Sequence, residues 1–207
     1  MTAVQLTPTA VADAHVLTPA LHSDDRGTFL EWFRSGDLEG AGHPFRLAQA
    51  NLSVSRAGVV RGIHFADVPP GQAKYVTCVS GAVLDVVVDV RVGSPTFGRW
   101  DAVRLDDRER RALFLPEGLG HGFCALEPDS TVVYLCNDVY RPGSEHGVHP
   151  LDPALGIAWP ADLAPLLSDK DAAAPTLAEA REQGILPLYE ACQARYREAA
   201  AGTGGVG

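Results

Sequence analysis

Between residues 46 and 140 the sequence offers short apolar runs and no helix-length apolar stripe. The runs lie at 46–53, 58–65, 73–78, 83–92, 99–105, 111–115, 122–126 and 132–139, separated by Gly, Pro and Asp. Short strands at regular spacing with turn signals between them specify a sandwich or barrel. The strongest run is "VLDVVVDVRV", 83–92, whose β-branched residues suit a pleated surface. Upstream, residues 1–20 alternate loosely and read as an N-terminal strand, "HSDDRGTF" as a turn and "FLEWF" as a short strand. The far end changes character. In "TLAEAREQG", Thr176 and Glu179 have capping-box spacing and Gly184 suits the stop. "PLYEACQARYREAAAG" reads as a second helix with Pro187 near its start. The tail 202–207 reads as disordered, and residues 1–207 as one domain without repeats.

At 207 residues and 46% hydrophobic, the chain can bury one sizeable core. A net charge of -9 argues against nonspecific nucleic-acid binding, which needs a basic face. A small anion held by a few local arginines stays possible. No apolar run reaches the roughly 18 residues of a membrane span. The N-terminus lacks a basic region followed by an apolar core, which implies a cytoplasmic protein. Cys78, Cys124, Cys136 and Cys192 form no C-x-x-C pair and read as buried free thiols.

The polar residues inside apolar runs carry the chemistry. "VVRGIHFADVPPGQAKYV", 59–76, sets Arg61 and His64 in a strand that should be buried. His64 alone reads as a core histidine, a catalytic base or a metal ligand. Arg61 favours function, because a buried guanidinium needs an anion. On a flat strand the two side chains would face opposite ways; a bulge at Gly62 would bring them together. The 17 basic residues divide into 15 arginines and two lysines, Lys74 and Lys170. Either the coding bias left two lysines by chance, or these positions need a compact ammonium, such as one that stabilises an oxyanion. "LPEGLGHGFCAL" delivers His121 from a tight turn in the P-x-G-x-x-H spacing of cupin barrels. The matching H-x-H half of a cupin metal site is missing, since Ala66 stands two residues after His64. One imidazole from each half falls short of the three or more ligands a metal needs. In "VVYLCNDVY", alternation sets Tyr134, Cys136, Asp138 and Tyr140 on one face.

These stretches, with "DDRGTFLEWF", "QANLSVS", "LDVVVDVRVGSPTFGRW" and "LDPALGIAWP", resemble the dTDP-4-dehydrorhamnose 3,5-epimerase family. The likeness runs over about residues 22–180 and points to the branch that makes deoxysugars for antibiotic glycosylation in actinobacteria. It implies a mainly β cupin jelly roll with C-terminal helices. It implies epimerisation of dTDP-4-keto-6-deoxyglucose, or a related dTDP-sugar, at C3, C5 or both, without metal or cofactor. By the resemblance, His64 is the proton-abstracting base, Asp171 its orienting carboxylate, Tyr134 the acid on the other face of the sugar and Lys74 the enolate stabiliser. Arg26, Glu31, Gln49, Asn51, Arg61, His121, Glu145 and Lys170 fall at substrate-binding positions. The family's N-terminal strands complete a partner's sheet, which implies a homodimer with Arg26 reaching the neighbouring site.

The chemistry suits these residue types. C3 and C5 both flank the C4 ketone, so either proton can leave with its charge spread onto O4. Inversion then needs a base on one face and an acid on the other. A carboxylate at Nδ1 of the imidazole would fix the tautomer, and Asp85 is the second candidate for that carboxylate. Ala50, Ala66 and Gly120 depart from the family's usual residues, which favours C3 over full 3,5-epimerisation. Two other readings are a non-catalytic cupin that binds a sugar nucleotide and a metal-dependent cupin enzyme.

Overall fold

The computed structural model describes residues 4–202. The strands are β1 (Gln5–Pro8), β2 (His15–Thr18), β3 (His22–Asp24), β4 (Gly27–Phe29), β5 (Gln49–Ser55), β6 (Val60–Ala66) and β7 (Lys74–Ser80). They continue with β8 (Ala82–Val88), β9 (Trp100–Asp106), β10 (Ala112–Leu115), β11 (Gly120–Ala125), β12 (Ser130–Cys136) and β13 (Glu145–Gly147). The helices are α1 (Ser35–Glu39), α2 (Asp169–Ala172), α3 (Leu177–Glu182) and α4 (Tyr189–Gly202). A six-stranded sheet in the order β1-β2-β10-β7-β12-β5 faces a five-stranded sheet in the order β13-β6-β11-β8-β9. The pairings are antiparallel and cross between distant parts of the chain, which is the cupin jelly roll.

Strand alternation sorts the side chains into three layers. Val76, Cys78, Val83, Val87, Leu113, Leu115, Phe123 and Val132 meet between the sheets. Val86, Val88, Ile63 and Phe65 point the other way, under the C-terminal segments that carry Leu155, Leu177 and Leu186. Tyr75, Phe114 and Leu135 pack outward against Leu38 and Phe45. Each fully buried aliphatic or aromatic side chain stabilises the barrel by roughly 1.5–3 kcal/mol. All four cysteines are free and buried, although Cys192 sits in a helix rather than a strand.

Several expectations are corrected. The N-terminal segment forms a hairpin of two strands, β1–β2, rather than one strand, and β2 pairs with β10 of the same chain. "HSDDRGTF" is a turn at its centre, with the three-residue strands β3 and β4 on its flanks. Residues 30–34 are not a strand. The Tyr75 hydroxyl donates to the Trp32 carbonyl at 2.5 Å, Phe33 packs edge-on to Tyr75 and Phe45, and α1 follows. The strongest apolar run stops at Val88. Beyond it Asp89 accepts from Ser94, Thr96 and the Nε and one terminal nitrogen of Arg91, a guanidinium with no exposed surface. Arg91 also donates to Asp13 at 2.6 Å and to the Tyr196 hydroxyl at 3.2 Å, tying α4 to the N-terminal segment. The capping box at Thr176 and Glu179 is present, and Gly184 follows α3 with φ +70°. Gly202 ends α4; the rest of the expected disordered tail lies outside the described residues. No helix among the described residues is long and apolar enough to cross a membrane.

The bulge at Gly62 is present. Across β6 and β11, His64 pairs with His121 and Arg61 with Phe123, so β6 spends one residue more than its partner. Gly62 holds φ +117°, where a side chain is strained. A Cβ there would lie 2.6 Å from both the Gly122 Cα and the His121 carbonyl oxygen. Gly93 has φ +90° but open space around it. We expect Gly93→Ala to cost about 1–2 kcal/mol of backbone strain in urea unfolding. Gly62→Ala should cost about 3 kcal/mol or more, because two backbones must also part. Equal losses would show that the close approach across the bulge is not a constraint.

Candidate active site

At one end of the barrel the inward-facing positions turn from apolar to polar. On β7 the residue in line with Val76 and Cys78 is Lys74; on β8 Asp85 stands between Val83 and Val87. On β12 Tyr134 follows Val132, and on β11 His121 precedes Phe123. The register places Lys74, Cys136 and Gln49 side by side across β7, β12 and β5. Opposite, β6 brings His64 and the bulge brings Arg61. An inner chamber of about 230 Å³ is lined by Ser53, Arg61, His64, Lys74, His121, Phe123, Tyr134, Ser168, Lys170 and Asp171. It shares His64, Lys74, Tyr134 and Lys170 with an outer chamber of about 350 Å³ that adds Gln49, Asn51, Gln72, Tyr140, Glu145 and His146. The two are lobes of one cleft, in the size range of small-molecule sites.

Two imidazole–carboxylate pairs stand in the cleft. His64 Nε2 meets Asp171 Oδ1 at 2.6 Å. Asp171 lies on α2, where the Ser168 hydroxyl caps the helix by accepting the Asp171 amide at 3.1 Å. Burial works to raise the Asp171 pKa. The bonds to His64, Ser168 and the Gly62 backbone outweigh it and hold the carboxyl below its usual range. The carboxylate takes Nε2 rather than the expected Nδ1, and Nδ1 has no partner among the described residues. Asp85 does not serve His64. It lies with no exposed surface beside His121 Nε2, at 2.9 and 3.1 Å, and burial pushes its pKa up against the pull of His121 and Lys74.

The remaining groups are poised for an anion. Burial pushes the Lys74 amine below the usual lysine range, against the pull of Glu145, Cys136 and Asp85. Burial, with Cys136 and Glu145, pushes the Tyr134 phenol up despite Arg61, so it stays protonated at neutral pH. Arg61 is tied through Nε to the Ser55 hydroxyl at 3.1 Å, and its terminal nitrogens have no partner among the described residues. Ser53 Oγ, on the cleft wall, is buried without a partner among the described residues.

A model of the dTDP-4-dehydrorhamnose 3,5-epimerase family matches residues 8–179. The chain belongs to that family. It is 58% identical over 192 residues to a dTDP-4-dehydrorhamnose 3-epimerase of Streptomyces niveus, covering 92% of each chain. It is 58% identical over 195 residues to a dTDP-4-dehydrorhamnose 3,5-epimerase of Mycolicibacterium smegmatis, covering 94% of each. Among solved structures it matches a 3′-monoepimerase of Streptomyces bikiniensis in complex with dTDP-quinovose. That match has a TM-score of 0.91 and 52% identity and covers 94% of this chain and 98% of that one. The enzyme class implied by the sequence resemblance, an isomerase, stands.

Within this epimerase fold the structure gathers ten of the twelve residues the resemblance singled out: His64, Lys74, Tyr134, Asp171, Gln49, Asn51, Arg61, His121, Glu145 and Lys170. Arg26 and Glu31 are not brought in. They belong to the β3–β4 hairpin and the segment after it; the hairpin pairs with no other strand, and Arg26 bonds Asp24 at 2.6 Å with its side chain 89% exposed. The positions expected to set regiochemistry also lie off the two chambers. Ala50 faces outward, Ala66 borders a separate crevice with Pro70, and Gly120 packs under Ile63 and Val90. Tyr140 is past the end of β12, yet it reaches the outer chamber. Ser53, Gln72, Ser168 and His146 were missed. Ser53 was within reach of the sequence, since "QANLSVS" alternates polar and apolar from Gln49 to Ser55 and puts it in line with Asn51.

The Asp171 pair predicts a pH window. A depressed folded pKa adds stability that is fully present above the unfolded value, about 3.9, and is lost as pH falls through the folded value. We expect Asp171→Asn to lower the urea midpoint at pH 7 and the deficit to close as pH drops below about 4. A deficit unchanged at pH 3 would show that the carboxylate's charge plays no part.

Proposed function

We propose that the protein epimerises dTDP-4-keto-6-deoxyglucose, or a close dTDP-4-keto-6-deoxyhexose, through an enolate, in the biosynthesis of a deoxysugar. The observation that carries this reading is the placement of His64 and Tyr134. One stands on each of the two facing sheets, with Lys74 beside the cleft they enclose. Base and acid from opposite walls are what inversion at carbon requires. The free Nδ1 of His64 takes the proton next to the ketone. The C–H electron pair moves into the ring and the charge arrives on O4, where Lys74 donates a hydrogen bond. Tyr134 returns a proton to the other face. Asp171 holds the imidazole and stabilises its cation. The unpaired Arg61, with Lys170 and Ser53, supplies donors for the diphosphate.

Proton removal at C3 is common to the 3-epimerase and 3,5-epimerase relatives, so C3 is the position expected to react. Those relatives are equally similar to this chain, and C5 is therefore the variable. The test is NMR of dTDP-4-keto-6-deoxyglucose in D2O. Deuterium should enter C3 first. His64→Ala should abolish exchange while dTDP still binds, and exchange within tenfold of wild type would remove His64 as base. Tyr134→Phe should exchange without inverting, and normal epimerisation by that variant would assign the acid to another group. Rapid equal exchange at C3 and C5 would make the enzyme a 3,5-epimerase.

The protein acts as a homodimer in this reading. β5 is a sheet edge whose outer face shows Leu52 and Val54, 63% and 54% exposed, near Leu47. Pairing through that face would cover them and let the β3–β4 hairpin carry Arg26 and Glu31 toward the neighbouring cleft. Sedimentation at micromolar concentration should give twice the chain mass, and Leu52→Asp should shift it to the monomer. A wild-type monomer would overturn the assembly.

A further inference from the structure

One buried carboxylate takes no part in this chemistry. Glu117, on the turn before β11, is 6% exposed, and its nearest cation is Arg195 Nε at 3.9 Å. Its Oε1 accepts from Asn137 Nδ2 at 2.8 Å. Asn137 in turn clamps the residue that leads into β7: its Oδ1 accepts from the Ala73 amide at 2.7 Å, and its backbone amide donates to the Ala73 carbonyl at 3.3 Å. Ala73 immediately precedes Lys74, the first residue of β7. The approach loop lies hard against the stem of the same side chain, since a Cβ on Gly71 would sit 2.5 Å from the Glu117 Cβ. From the other side α4 fixes the turn. The Tyr196 hydroxyl donates to the Glu117 carbonyl, and a side chain on Gly118 would collide with Cys192.

Lys74 itself makes no hydrogen bond among the described residues, so only its backbone anchorage and packing fix its amine. We propose that Glu117 and Asn137 are positioning residues that, with α4 clamping the Glu117 turn, set where Lys74 enters the cleft. The inference rests on the reading of Lys74 as the enolate stabiliser. A stabilising donor is worth about 10²–10³ in kcat only where the developing charge appears, and a shift of about 1 Å can cost much of it. Losing the relay should therefore lower kcat and leave substrate binding nearly unchanged.

The test compares kcat, KM and melting temperature for Lys74→Met, Glu117→Ala, Glu117→Gln and the Glu117→Ala/Lys74→Met double variant. Lys74→Met should lose about 10²–10³ in kcat while keeping the fold, because it relieves a buried amine. Glu117→Ala should lose about tenfold in kcat with KM within about twofold, and Gln should restore most of it because its amide oxygen still accepts from Asn137. In the Lys74→Met background, Glu117→Ala should cost less than about twofold, since residues acting through one group are not additive. A full tenfold loss in that background, or a loss appearing only in KM, would overturn the relay. If Glu117→Ala does not fold, Asn137→Asp reads the same link, because it keeps the acceptor for Ala73 and turns the donor to Glu117 into a repelling oxygen. Undiminished kcat in Lys74→Met would instead overturn the role of Lys74, independently of the Glu117 comparison.

Discussion

The site depends on one irregular step in β6. A regular strand would send Arg61 and His64 to opposite faces, one into the cleft and one under the C-terminal segments. The extra residue at Gly62 puts both on the cleft and leaves Ile63 fully buried on the other side. Two more contacts follow from it. Ile63 exchanges backbone hydrogen bonds with Val148 at 3.1 and 2.9 Å, which holds the chain around β13 against β6. The Gly62 backbone also works to hold the Asp171 carboxyl below its usual range, so the bulge that turns His64 into the cleft bears on its partner too. Gly122 across the ladder has no side chain, and the two backbones can close on each other.

The barrel accepts several ionisable groups near its interior, and their energetics differ in kind. His64–Asp171 and His121–Asp85 are paired at hydrogen-bond distance, so each partner offsets part of the other's desolvation. Lys74 has no such partner among the described residues, and burial lowers its pKa. In the proposed reaction it meets its best counter-charge only when O4 becomes an enolate. A ground state that leaves the ammonium under-solvated and a transition state that satisfies it is differential binding in physical form. The fold bears the cost of the buried amine, and the relay through Asn137 and Glu117 keeps that amine from relaxing toward water.

How much of this was legible follows from the range of the interactions. Period-two alternation is local, so the eight central strands, the inward face of β7 and the bulge could be read from the sequence. The capping box of α3 is local too. The Nε2 contact of His64 was not legible, because it depends on how α2 approaches from more than a hundred residues away. Asp85 looked available to His64, yet β8 and β11 pair so that it faces His121 instead. Glu117 read as part of a turn, since nothing in "LPEGLGH" reveals that Asn137 and α4 meet there. Arg26 and Glu31 show the opposite case. A resemblance assigns them to a site, yet neither lines the two chambers, and the hairpin that carries Arg26 pairs with no other strand among the described residues.

The same separation of walls bears on regiochemistry. In the proposed reaction C3 and C5 lie on either side of the C4 ketone, with His64 as base on one sheet and Tyr134 as acid on the other. With Lys74 holding O4 in that reaction, the ring brings its second carbon to the base by turning in its own plane about O4, because H3 and H5 of this sugar share one face. The groups that can permit or resist that turn are those around the ring's rim in the outer chamber, such as Gln72, Glu145 and His146. His146 is itself held, through Nε2, by Asp67 at 2.8 Å, and its ring packs against Phe65 beside the base. A stiff rim would hold the ring in one orientation and confine exchange to one carbon; a yielding rim would admit both. On the proposed reading, specificity follows from how firmly the outer chamber grips the sugar, with the same base and acid serving either outcome.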